Sequence, residues 1–350
     1  MIDLSGAQPP WPDDATALLS GCADEAIRSP DLWRVPAPRG DEVLRTELGR
    51  LLELDAELLT ITASVRAAAL TYARQAAHLV VERPTFTGSL EVLRSGPATV
   101  QLRSWEEIGE RPLPAGATLW LTSPARNPDG RTLDRAECAQ LSALRGLGHP
   151  IVVNETYRLF RLDAPRVAGA DYVGSLHKLI GVGSRIGWVH SPSYFANAYP
   201  EMLGTTPSRV WQRAWGLFLR RGGFEQAHAA VIAPCRQAAQ SFSARLTNLN
   251  GLSADFDGPN ALLPLADGVS EEDALAHLRQ QGYLVSAGQH FLCREAAVRA
   301  TFLGVPPEAA TAFAETVASC GMFTPDHARG SAGRPASQPP DFVTPGPGSP

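Results

Sequence analysis

From residue 40 onward the chain alternates between two hydrophobic periods. GDEVLRTELGRLLEL (40–54) returns leucine at three- and four-residue steps, which predicts an amphipathic helix, and ELLTIT then reads as a strand. The pair recurs as SVRAAALTYARQA, a helix, and HLVVE, a strand. Short apolar runs follow at ATLWLT, PIVVN, ADYVGS and RIGWVH. A helix for which Asp134 is a suitable N-cap separates the first two of these runs. Apolar strands alternating with helices predict an α/β fold with a mostly parallel central sheet covered on its faces.

Beyond about Pro192 the pattern changes. Long helical stretches, SRVWQRAWGLFLRR and FEQAHAAVIAPCRQAAQSFSARL, precede a compact α+β segment containing NALLPLA, EEDALAHLRQQG, YLVSAG, AVRATFLG and PEAATAFAETVAS. The expected organisation is an N-terminal segment (1–39) that packs on the small domain or on a dimer partner, a large ligand-binding unit (40–225) and a smaller one (226–325). The tail (326–350) is rich in Pro, Gly and Ser and has too little to bury, so disorder is expected there.

Composition sharpens this picture at one residue. Lys178, in GSLHKLIGVGSRIG (174–187), is the only lysine; the other cations among 31 Lys and Arg are all arginines. An amine can lose its proton and attack a carbonyl, whereas a guanidinium cannot. The remaining numbers are ordinary for a globular protein: 44% hydrophobic, 19% charged and a net charge of -5. Dispersed arginines without a basic run argue against nucleic-acid binding. The start, MIDLSGAQPPWPDD, has neither a cationic end nor an apolar core, and no run of about 20 apolar residues occurs, so no membrane span and a cytoplasmic location are expected. Five scattered cysteines without a CxxC pair read as free thiols rather than metal ligands.

An open parallel sheet binds ligands beyond the carboxyl ends of its strands. Asn127 follows ATLWLT, Asn154 and Tyr157 follow PIVVN, and Ser175 and Lys178 follow ADYVG; Arg185 lies seven positions further on. A lysine, an arginine and a hydroxyl suit an aldehyde cofactor that carries a phosphate. Gly181-x-Gly183 lacks the third glycine and downstream acid of a dinucleotide fingerprint.

In this order the segments resemble the fold-type I pyridoxal 5′-phosphate (PLP) enzymes, specifically the class I/II aminotransferases. SPARNPDG is similar to that family's N-P-T/D-G loop, VVNETYRLF to its D-E-x-Y segment, and SLHKLIGVGSRIGWV to its S-x-S-K…G-x-R-x-G signature. LLTITASVRAAAL resembles the turn that holds the phosphate, ERPTFTG the segment covering the cofactor ring, and AVRATFLG the strand bearing the carboxylate-binding arginine. The likeness spans roughly Gly40 to Ser319.

It implies a three-layer fold type I architecture with a smaller α+β domain, and a homodimer; in the sequence itself, Trp11 and Trp33 of the N-terminal segment are candidates to pack on a neighbour. It further implies amino transfer from an α-amino acid to a 2-oxo acid through an internal aldimine at Lys178. Arg185 and Ser175 would bind the phosphate, with backbone N–H groups of Ser64 and Val65 at a helix N-terminus. Phe86 would stack on the ring, Asn127 and Tyr157 would bond its 3′ oxygen, and Arg299 would clamp the substrate carboxylate. Taken singly, Phe86 reads as a core aromatic, Arg299 as a solvated strand residue, Asn127 as a turn residue and Tyr157 as a partly buried hydroxyl.

Three positions depart from the family pattern. Asn154 stands where an aspartate is usual beneath the pyridine nitrogen, and a neutral amide cannot keep that nitrogen protonated as a carboxylate does. Glu155 points to the opposite strand face, so it is a poor substitute. His177 stands where a small hydroxyl residue is usual, and Ala63 where a hydroxyl is common. His177 beside the lysine keeps open another α-carbon reaction, decarboxylation or elimination, and Asn154 keeps open a non-catalytic protein of this fold.

Overall fold

A computed structural model describes residues 1–6, 11–30, 38–192, 206–250 and 256–324. The chain opens with a two-residue strand, β1 (Ile2–Asp3), and a helix, α1 (Asp13–Arg28), which the sequence pattern did not reveal. Helix α2 (Glu42–Leu52) starts where Asp41 accepts hydrogen bonds from the Val43 and Leu44 backbones. Then come β2 (Leu59–Thr62), α3 (Val65–Gln75), β3 (His78–Glu82) and α4 (Thr87–Arg94). Next are β4 (Thr99–Arg103), α5 (Trp105–Glu110), β5 (Thr118–Thr122), α6 (Arg135–Gly146) and β6 (Ile151–Asn154). Asp134 caps α6 in a reciprocal capping box with Glu137, as its position predicts. Strands β7 (Asp171–Ser175) and β8 (Gly187–His190) flank the short helix α7 (His177–Ile180).

These strands form one seven-stranded sheet in the order β2-β8-β7-β6-β5-β3-β4. Its strands run in parallel except β8, which is antiparallel to both neighbours. Alternation along the strands sends Val81, Trp120, Val152, Val173 and Val189 to the face covered by α3 and α4. Val80, Leu119, Leu121, Ile151, Val153 and Tyr172 point to the other face, against Trp105 and Ile108 of α5 and Cys138 and Leu141 of α6. Helix, sheet and helix therefore make three layers. Each fully buried large apolar side chain contributes about 1.5–3 kcal/mol to holding them together.

Helices α8 (Arg209–Arg220) and α9 (Ala233–Asn250) follow, the latter entered through a π-helical turn over His228–Ile232. After β9 (Asn260–Pro264) and α10 (Glu271–Gln280), YLVSAG divides into two strands instead of one. Strand β10 (Tyr283–Leu284) pairs in parallel with β1, and β11 (Ser286–Ala287) pairs antiparallel with β12 (Ala297–Thr301). Strand β12 also pairs with β9, and α11 (Pro307–Ser319) packs along α9. The cysteines are free, with Cys22, Cys138 and Cys235 buried. No helix among the described residues is long and apolar enough to cross a membrane. Trp33 and the tail 326–350 lie outside the described residues.

Candidate active site

The parallel strands β5, β6 and β7 end on one side of the sheet, and there a cavity of about 290 Å³ opens. Nine of the ten residues singled out from the sequence line it: Ser64, Val65, Phe86, Asn127, Asn154, Tyr157, Ser175, Lys178 and Arg185. They come from separate stretches of chain, so the fold has assembled them. Arg66, Ser89, Thr122, Thr156, His177, Ser184 and Ile186 also face it, together with Ala63.

One wall is the N-terminus of α3. Ser64 caps it, its Oγ accepting from the Ala67 backbone at 3.1 Å, which leaves the hydroxyl hydrogen free to donate outward. The early N–H groups of an eleven-residue helix lack intrahelical partners, so the positive end of its dipole faces the cavity. Gly187 permits this close approach: a Cβ there would lie 2.8 Å from Thr62 Oγ1 and 2.9 Å from Ser64 Cα.

The opposite wall is the turn between β7 and β8. Arg185 adopts a left-handed backbone conformation (φ 49), which costs a residue with a side chain about 1–2 kcal/mol and tends to be retained where function requires it. A neighbour from another element holds it there: Trp211 of α8 donates its indole N–H to the Ser184 carbonyl at 2.7 Å. Arg185 is exposed at the rim. Ser184 is buried, lines the cavity, and has an Oγ without a hydrogen-bond partner.

Phe86, at 41% exposure, is not the core residue that its type alone suggests. Its ring stands at the cavity edge with the Arg66 guanidinium 5.9 Å from the centroid. Gly88 leaves room for that arrangement, because a Cβ would meet an Arg66 nitrogen at 2.4 Å. Deeper in, Lys178 Nζ lies 5.6 Å from the centre of the buried Tyr157 ring. Asn127 Oδ1 is buried there without a partner. Asn154 Oδ1 accepts from the Thr156 backbone at 3.1 Å and from its hydroxyl at 2.6 Å. Glu155 points away from the cavity, to Arg158 (Nε 2.8 Å) and Arg166 (Nε 3.0 Å). The alternation of side chains along β6 anticipated this separation.

Ser175 hydrogen-bonds with the Nδ1 of His177. Burial, reinforced by the Lys178 and Arg66 cations, pushes His177 from 6.5 down to about 3, so its ring is neutral near neutral pH. In the unfolded chain the imidazole takes up a proton below about 6.5, whereas in the fold it stays neutral until about 3. The fold should therefore lose stability as pH falls through that interval, and this loss is absent above it. Urea unfolding of the protein without added cofactor at stepped pH is expected to show a shallower decline for His177→Gln than for the wild type. Parallel slopes would contradict the burial of a neutral imidazole.

Arg299 is the one singled-out residue that does not line the cavity. It is buried on β12, where its Nη2 donates to the Ser5 carbonyl at 2.9 Å and to Ser286 Oγ at 3.1 Å. Its guanidinium carbon is 4.8 Å from the Phe291 ring centroid, and its Nε is buried without a partner. Burial lowers its pKa from the ordinary value.

One lining residue carries a sign readable in sequence: Thr156 stands two positions after an asparagine, the spacing of an Asx turn. Arg66 and Ser89 are ordinary helix residues in sequence, and only the fold brings them to the cavity.

No protein-family model matches this chain. No curated protein matches it either. Solved structures do match. A tetra mutant of Thermus thermophilus aspartate aminotransferase superposes with a TM-score of 0.75 at 19% identity, covering 91% of this chain and 95% of its own. The multiple substrate aminotransferase of Thermococcus profundus gives a TM-score of 0.73 at 17% identity, with 90% and 91% covered. LysN, the α-aminoadipate aminotransferase of Thermus thermophilus, complexed with N-(5′-phosphopyridoxyl)-L-leucine, gives 0.72 at 16% identity, with 90% of each chain covered. The chain thus has the mixed α/β fold of the fold-type I aminotransferases. At such identities the likeness establishes architecture, and the chemistry has to be argued from the cavity.

Proposed function

We propose that the protein is a PLP-dependent aminotransferase that moves an amino group from an α-amino acid to a 2-oxo acid. The observation that carries this reading is the position of the sole lysine: its amine shares one cavity with a helix N-terminus, an arginine and two buried polar atoms without partners. Those features fit pyridoxal phosphate part by part. Asn127 and Ser184 have hydrogen-bonding capacity that the protein leaves unused. The helix N-terminus and Arg185 suit a dianionic phosphate. Phe86 offers an open aromatic face.

Bound, pyridoxal phosphate supplies an aldehyde that combines with amines and a conjugated ring that accepts electron density. The protein's own groups then have separable tasks. Lys178 would hold the aldehyde, and its Nζ would serve as the base for the proton on the substrate α-carbon. Ser64, Val65, Ser175, Ser184 and Arg185 would position the phosphate, Asn127 and Tyr157 would hydrogen-bond the ring hydroxyl, and Phe86 would cover the ring. Arg299, whose Nε has no partner, is the candidate for the substrate carboxylate. In this reading residues 40–225 form the cofactor-binding unit, 226–325 the smaller unit, and the active protein is a homodimer.

The test is a panel of α-amino acids added to protein reconstituted with the cofactor. The expected outcome is bleaching of the visible band with at least one of them, accompanied by release of the matching 2-oxo acid and formation of pyridoxamine phosphate. Carbon dioxide or ammonia release without a 2-oxo acid would replace this reading with another α-carbon reaction. No response from any amino acid would favour a non-catalytic protein.

A further inference from the structure

The polarity of the Asn154 amide is fixed by what it already touches. Its Oδ1 accepts from the Thr156 backbone N–H at 3.1 Å and from Thr156 Oγ1 at 2.6 Å. A backbone N–H can only donate, so turning the amide over would set donor against donor. Nδ2 is the end that remains, and it has no hydrogen-bond partner among the described residues. Asn154 therefore offers the cavity a hydrogen-bond donor and no acceptor.

Its surroundings act in the same direction. Among the described residues no Asp or Glu lines the cavity, while Arg66, Lys178 and Arg185 do. The nearest carboxylate in sequence, Glu155, is fully buried on the far side of β6, where Arg158 and Arg166 engage it. His177 is neutral and cannot compensate as an anion. A further positive charge placed among these cations, with no described carboxylate beside it, is disfavoured.

The cofactor's own connectivity says which atom meets Asn154. Its ring nitrogen is para to the aldehyde carbon, and its phosphate arm is ortho to that carbon. With the aldehyde at Lys178 and the phosphate between the α3 N-terminus and Arg185, the nitrogen would be directed away from both, to the carboxyl ends of β5 and β6, where Thr122 and Asn154 are register partners and line the cavity with Thr156. We infer that Asn154, oriented by Thr156, donates its amide hydrogen to the ring nitrogen, and that the protein holds its cofactor with that nitrogen unprotonated. This inference rests on the reading of the cavity as a pyridoxal phosphate site. Its chemical consequence is a ring that accepts less electron density from the substrate α-carbon.

The experiment is nitrogen-15 NMR of the full chain reconstituted with pyridoxal phosphate labelled at the ring nitrogen. The wild type is expected to show the resonance of a hydrogen-bonded but unprotonated pyridine, holding its position from neutral pH down to about 6. In Asn154→Asp one carboxylate oxygen can keep both Thr156 bonds while the other faces the ring as an acceptor, and the resonance is expected to move far upfield to the protonated position. In Asn154→Leu, which has no donor, it is expected to move downfield to that of a free pyridine. A protonated nitrogen in the wild type would overturn the inference, as would a wild-type resonance identical to that of Asn154→Leu. Failure of the labelled cofactor to attach at Lys178 is a different result, because it would remove the cofactor reading itself.

Discussion

Replacing Lys178 with alanine is expected to lower amino-group transfer by roughly 10²–10⁴-fold, the range for removing a positioned proton-transfer group. The chain contains no second lysine to take over. The side chain is partly exposed to the cavity and packs over the Tyr157 ring, with no ion pair among the described residues, so little of the fold depends on it. Lys178→Arg separates charge from chemistry: it keeps a cation in place but cannot combine with an aldehyde. Both variants are expected to remain folded by circular dichroism, to lose turnover, and to lose the visible band that reports covalent attachment. Turnover within a few-fold of wild type in Lys178→Arg would mean that the cation alone suffices.

Glu155→Ala is expected to destabilise the protein by about 3–5 kcal/mol, the cost of removing one partner from a buried ion pair. Glu155 is fully buried and Arg158 is 1% exposed. The carboxylate receives Arg158 Nε at 2.8 Å and Nη2 at 2.5 Å, with Arg166 Nε at 3.0 Å and Nη2 at 3.2 Å. Without it the Arg158 guanidinium keeps only carbonyl partners, chiefly Ala164 at 2.7 Å. Urea titration measures the loss. Because Glu155 faces away from the cavity, the visible band of the reconstituted variant is expected to keep its wild-type position under conditions where the protein is folded. A loss below about 1 kcal/mol would show that the pair is not the buried unit described here.

These two residues also show why parts of the protein were legible in sequence and others were not. Buried strands such as β5 and β6 are written as unbroken apolar runs, and residues at their carboxyl ends fall into one crevice by topology, so Asn127, Asn154 and Tyr157 were recognisable beforehand. Strand β4 was missed because it lies at the sheet edge, where no position is fully buried and TVQLR carries no apolar run. Helix α1 was missed because only Ala15, Cys22 and Ala26 are buried along it, too sparse a stripe to stand out. Long-range partners leave no local mark. Nothing near Arg299 in sequence announces the Ser5 carbonyl that holds it, and nothing near Ser184 announces Trp211. The orientation of the Asn154 amide lies between these cases, since its partner is two residues away and the spacing already favours the turn.

The central claim is that Lys178 is the attachment point of the cofactor. Its most direct test is borohydride reduction of the reconstituted full chain followed by peptide mass mapping. The account predicts a single phosphopyridoxyl addition, on the peptide containing Lys178, with none in Lys178→Ala. A reduced protein without that addition, or an addition of the same stoichiometry on another residue, would contradict it.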